Sequence, residues 1–252
     1  MKLWKTVSLE FFKLRRKWIF VMVTLFLSVE ILWTFMSLHI SMSRNPDQAG
    51  WEAILSTIAS MNGLFLPIIA AIVVSRICDM EHKGDTWKLL ITSSVKIKDL
   101  YASKYISACI VMFYVIILQL ISIVGFGIFN KFTGAVPHLL LLQFSVGTML
   151  ANMAVLALQQ WLSLAIKNQA FALCLGMVGG FIGMTAPFFP TVASSLFTWS
   201  YYSILSPVTS HFTDYSMEFV TQQLSLGKAA AIFLMGMIFY IAGSLHVSRQ
   251  EI

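Results

Sequence analysis

The chain has 252 residues, of which 58% are apolar and 11% charged, with a mean hydropathy of +0.80 and a formal net charge of +6. Soluble domains average nearer half apolar and a quarter charged, so a water-soluble globular domain is excluded and the bilayer is the solvent. Three widely spaced cysteines, Cys78, Cys109 and Cys174, supply neither a disulfide framework nor a metal site.

In chain order, the first element predicted is a cytoplasmic interfacial helix over residues 1–17. Leu3, Trp4, Val7, Phe11 and Leu14 share one face, with Lys2, Lys5, Lys13 and Arg16 mostly on another. The apolar run 18–40 follows; it exceeds the h-region of a secretory signal and has no small-x-small cleavage site, so it reads as a retained span. Further apolar runs cover 54–77, 105–129, 137–166, 169–189 and 228–247. At about 20 apolar residues per spanning helix these are six spans, and 18–252 forms one transmembrane domain. Between the second and third runs lies the island 78–100, "CDMEHKGDTWKLLITSSVKIKDL", which holds eight of the chain's 17 Lys/Arg and 11 Asp/Glu residues. After the fifth run, Pro187 and Pro190 break the helix, and 190–227 is expected to be extracellular or re-entrant.

Charge sets the orientation. Fourteen of the 17 Lys and Arg residues lie in segments on one side of the spans, and only Arg44, Lys131 and Lys228 lie on the other. The positive-inside rule then places both termini and the island in the cytoplasm of a multi-pass membrane protein. The positive charge therefore reflects topology and anionic lipid headgroups, with no nucleic-acid module behind it.

The chain carries no G-x-x-x-x-G-K-[ST], and "GMVGGFIG" at 176–183 lies in an apolar run without Lys, so no nucleotide phosphate is cradled here. H-E-x-x-H and G-x-S-x-G are likewise missing, the five histidines are scattered, and the pair Cys78 and His82 lacks a third ligand. The expectation is a non-catalytic chain without cofactor or metal, driven by another polypeptide. Polar groups inside the spans are the candidates for a substrate pathway or a dimer seam. Glu30 and Thr34 lie in the first span, while Ser145, Thr148, Asn152 and Gln159 form a polar line along the fourth. Glue between helices would produce the same pattern. Gly176, Gly180 and the offset pair Gly179 and Gly183 predict close helix packing in the fifth span.

Within the island, Gly84 and Asp85 make a break and an N-cap, and Trp87, Leu90 and Ile91 fall at i, i+3 and i+4. This short apolar stripe suits either a groove on a cytosolic protein or the inner headgroups. The wording "E-x-x-G-D-T-x-x-L-L-x-T-S", formed by Glu81, Gly84, Asp85, Thr86, Leu89, Leu90, Thr92 and Ser93, resembles ABC-2-type permeases, many of which carry Pro where this chain has Ser94. Size and loop wording look closest to the permease subunits of lantibiotic-immunity and bacitracin-resistance transporters. The resemblance implies an all-α integral membrane fold: six transmembrane helices, an N-terminal elbow helix and a cytoplasmic coupling helix between spans two and three. It implies coupling to an ATPase through Glu81, Gly84, Asp85, Thr86, Trp87, Leu89, Leu90 and Ile91, with ATP and Mg²⁺ bound on two copies of that cytosolic ATPase. It also implies a second permease copy or a related permease chain in a bacterial plasma membrane. The implied substrate is an amphipathic antimicrobial peptide drawn from the lipid, or alternatively another lipid-like compound or drug. Outside the resemblance, a membrane scaffold that recruits a cytosolic partner fits the same topology.

Overall fold

The computed structural model describes residues 3–46, 49–84, 97–166, 168–212 and 217–249. Among these, helix α1 (Leu3–Arg16) precedes five long helices: α2 (Ile19–Arg44), α3 (Trp51–Gly84), α4 (Ile97–Phe129), α5 (His138–Ala165) and α6 (Gln169–Thr185). A 3-10 turn (Ala186–Phe188), α7 (Thr191–Ser194), a second 3-10 turn (Thr198–Ser200), α8 (Tyr201–Ile204), a hairpin and α9 (Leu226–Arg249) complete the chain. Six helices are long and apolar enough to cross a membrane. The chain is an all-α integral membrane protein with one small sheet added, β1 (Val208–Phe212) antiparallel to β2 (Met217–Thr221), which the sequence reading did not foresee. Six spans after α1 bring both termini to one end of the bundle, the terminal end; the hairpin marks the other.

Helix α3 is the axis: 61% of its span is buried, against 22% for α9. Lipid gives helices little hydrophobic reason to associate, so contact rests on close packing and on polar bonds. The glycines read in the fifth span supply the packing. A Cβ on Gly180 would sit 2.6 Å from the Leu64 carbonyl oxygen, and one on Gly63 would sit 2.8 Å from the Gly183 carbonyl. Helices α3 and α6 therefore meet backbone to backbone, and α3 continues unbroken through Pro67. Outward faces are apolar, with Leu25 and Leu32 on α2, Phe113 and Ile121 on α4, and Leu234 and Ile238 on α9 all exposed to lipid.

The elbow differs from expectation. Val7 and Leu14 are buried and Phe11 is half-buried, but Trp4 is 79% exposed together with Leu9 and Phe12. The helix thus has two apolar faces, one against the bundle and one turned outward. Trp18 joins it to α2 in the left-handed region at φ 56°, a conformation costing a non-glycine residue about 1–2 kcal/mol.

Residues 198–206 enter the bundle at the hairpin end. Thr198, Ser200, Tyr201, Tyr202 and Leu205 are buried, Trp199 fills the space left by Gly179, and the Leu205 carbonyl oxygen lies 2.7 Å from where a Cβ on Gly147 would be. An aromatic group including Phe35 stacked on Phe126 at 4.3 Å fills the hairpin end of α2 and α4.

Candidate functional site

Helices α3 and α4 have 34 and 33 residues, about 50 Å each at 1.5 Å per residue, against about 30 Å of hydrocarbon. Their surplus length lies at the terminal end, where Arg76, Asp79 and Glu81 end one helix and Lys98 and Asp99 begin the other. The two helices flank the predicted coupling segment. Glu81 and Gly84 belong to the last turn of α3, while Asp85, Thr86, Trp87, Leu89, Leu90 and Ile91 lie outside the described residues.

At the base of this segment is a charged tie that sequence reasoning missed. Lys104 of α4 is wholly buried, and its Nζ lies 3.4 Å from both carboxylate oxygens of Glu10 in the elbow. It also donates to the Ile77 carbonyl of α3 at 3.3 Å, and Lys13 approaches the Glu10 carboxylate at 3.2 Å. One ammonium thus joins α1, α3 and α4. Breaking a buried charge pair costs about 3–5 kcal/mol when no other partner remains; here Lys13 stays beside Glu10. The signal was present in phase: Glu10 falls between Val7 and Leu14 on the buried stripe of α1, and Lys104 falls with Leu100, Ala108 and Val111 on that of α4. Counting Lys104 only as a loop charge, and leaving Glu10 out of the reading of the interfacial helix, concealed it.

Further polar ties cross between helices at this end. The Ser75 and Ser163 hydroxyls of α3 and α5 both donate to Gln169 Oε1 at 3.1 and 2.8 Å, and Gln160 Nε2 donates to the Tyr101 carbonyl at 2.9 Å.

The six intramembrane candidates divide by position. Glu30, Thr34, Thr148, Asn152 and Gln159 are all buried within the chain's own bundle. Ser145 is half-buried, and its hydroxyl donates to the Leu141 carbonyl one turn earlier at 2.7 Å. Glu30 has partners that lie far away in sequence: Gln119 Nε2 of α4 donates to Glu30 Oε1 at 3.0 Å and to Asn62 Oδ1 of α3 at 2.6 Å. This bridge fixes α2, α3 and α4 at one depth. The Tyr202 hydroxyl of the plug donates to Asn152 Oδ1 at 2.8 Å, and Gln159 Nε2 donates to the Ala172 carbonyl of α6 at 2.6 Å. Glu30, Asn152 and Gln159 thus bond within the chain, the arrangement that glue between helices would give. Sequence could not pair Glu30 with Gln119, because 89 residues separate them.

Among the described residues no group of three His, Cys, Asp or Glu side chains is arranged to hold a metal ion. The pairing of Cys78 with His82 lies partly outside them, since the His82 side chain is not described.

Comparison with known proteins adds the family. No curated protein matches the chain. The family described as ABC-2 family transporter protein matches residues 6–183, well over half of the 252 residues, from the elbow through the end of the glycine pattern in α6. Members of that family are membrane components of transporters that work with a separate ABC ATPase subunit. Six spans, an elbow helix and two long helices around a charged segment agree with the match, and the chain belongs to the ABC-2 family of transporter proteins.

Proposed function

We propose that this chain is the permease subunit of a transporter that exports or extracts an amphipathic antimicrobial peptide of the lantibiotic or bacitracin type. Two copies of a cytosolic ATPase, which carry ATP and Mg²⁺, dock on the segment from Glu81 to Ile91, and a second permease chain completes the membrane unit. The terminal end then faces the cytoplasm of a bacterial cell. The observation that carries this reading is the Glu10–Lys104 tie to the Ile77 carbonyl, which links the elbow to both helices that flank the docking segment. A push on residues 85–91 reaches α1, α3 and α4 together, and the Glu30–Gln119–Asn62 bridge passes the same movement to α2. The scarcity of charge in the spans suits a substrate that resides in lipid and is removed from it without a wide aqueous channel.

The test is Leu90→Asp in the tagged chain. Placing a carboxylate in an apolar docking stripe is expected to leave the amount of protein in the membrane unchanged while removing the ATPase subunit and its hydrolysis from the purified complex. Unchanged assembly and unchanged hydrolysis would overturn the docking assignment.

A further inference from the structure

At the hairpin end, two cavities of about 330 and 220 Å³ lie on either side of Ser56, Ser60 and Ser210, which line both. The larger is bounded by α3, the 186–194 segment, α8, the hairpin and Lys228 in the first turn of α9. The smaller extends to Ser37 and Ser41 at the end of α2. The walls are rich in hydroxyl groups, and those groups fall into two kinds.

Ser60, Ser194, Ser203 and Ser206 each donate their proton to a nearby backbone carbonyl at 2.7–3.0 Å. Their oxygens keep lone pairs for a donor from outside. Ser56, Thr191 and Ser210 also line the larger cavity, and no hydrogen bond from their hydroxyls is found among the described residues, so they have protons to give to an acceptor. Gln222 directs its Nε2 to the Ser206 carbonyl at 2.8 Å and keeps its oxygen available. Among the described residues no carboxylate lines either cavity, and Lys228 is the one cationic side chain that does. It forms no ion pair with a described carboxylate.

A lone cation with free hydroxyl donors recognises an oxyanion, and hydroxyl acceptors beside it recognise the hydroxyl or amine groups that the oxyanion carries. Depth identifies the source. Lys228 is the third residue of a spanning helix, so its ammonium lies at the level of lipid headgroups. Beside the larger cavity, Phe188, Val192 and Leu196 are 84%, 80% and 73% exposed, an apolar surface along which a tail would lie. We propose that these joined cavities bind the phosphate headgroup of an anionic, hydroxyl-bearing phospholipid, with Lys228 on the phosphate and the serine hydroxyls on the phosphate and polyol. This site does not depend on the transport reading above and can stand or fall apart from it.

The probe is short-chain phosphatidylglycerol, titrated against the purified full-length chain in neutral detergent and read by native mass spectrometry, with short-chain phosphatidylcholine as comparison. Wild type is expected to bind phosphatidylglycerol about tenfold more tightly, the difference that one charge-assisted hydrogen bond supplies. Lys228→Gln should remove that preference, and the double change Ser56→Ala with Ser210→Ala should weaken binding several-fold while keeping it. Lys131→Gln, which changes a hairpin-end cation outside both cavities, should leave the preference intact. Each variant is checked for an unaltered unfolding temperature. Equal binding of the two lipids by wild type, or an unchanged preference in a folded Lys228→Gln, overturns the proposal. Displacement of the lipid by glycerol phosphate alone at the same concentration assigns the site to a soluble phosphate and overturns the lipid assignment.

Discussion

The two ends of this bundle both carry buried polar side chains and use their hydroxyl and amide groups differently. At the terminal end their hydrogen bonds run between elements: Lys104 to Glu10 and to the Ile77 carbonyl, Ser75 and Ser163 to Gln169, Gln160 to the Tyr101 carbonyl. At the hairpin end the Tyr202 hydroxyl ties the plug to Asn152, but several cavity-lining hydroxyls close within one helix or turn, as in Ser60 to the Ser56 carbonyl and Ser203 to the Ser200 carbonyl. Bonds between helices make the helices move as a unit. Bonds within a helix leave its surface available to something else. On the readings proposed above, the first arrangement transmits movement and the second meets a ligand.

The strongest way to break this contrast is Lys104→Met. It takes the buried ammonium from the Glu10 carboxylate and leaves it the half-exposed Lys13 at 3.2 Å, so the expected loss is about 3 kcal/mol, the low end for a broken buried pair, measured as thermal unfolding in detergent. Adding Glu10→Leu removes the under-paired charge, so the double variant should recover much of that loss. A single variant as stable as wild type would remove the tie from the account.

A weaker intervention at the same end is Gln169→Ala. It leaves Ser75 and Ser163 without their shared acceptor and should cost about 1–3 kcal/mol. The matching change at the hairpin end, Ser60→Ala, deletes a hydroxyl bonded only to its own helix and should stay within about 0.5 kcal/mol. Comparable losses from these two substitutions would erase the distinction between the ends.

Much of the fold was legible as apolar runs, because a bilayer demands long helices and only long helices give such runs. The boundaries failed where a helix continues into polar sequence. The third span begins at Ile97, eight residues before its predicted start at 105, because Lys98, Asp99 and Lys104 lower the hydropathy of two helical turns that are nonetheless helical and partly buried. Close packing of α6 was legible in Gly176, Gly180 and Gly183, since a repeat of small residues has few other uses in a span, but its partner α3 was not. The hairpin had a local signal in the alternation of Val208, Ser210 and Phe212 opposite Met217, Phe219 and Thr221, but it is short and lay in the segment 190–227 read only as extracellular or re-entrant. The polar bridges were not legible at all. Gln119 meets Glu30 and Asn62 only after three helices have packed, and no spacing within one helix reports that meeting.

The most direct test of the central claim, that this chain is the membrane half of an ATP-driven transporter, is affinity purification of the tagged protein from its native membranes in mild detergent, with quantitative mass spectrometry and an ATPase assay on what accompanies it. The account predicts a chain with a Walker-type nucleotide site in roughly equal amount to the permease, together with hydrolysis that depends on it. Recovery of the folded permease without any such ATPase, even with nucleotide and crosslinker present, would contradict the account.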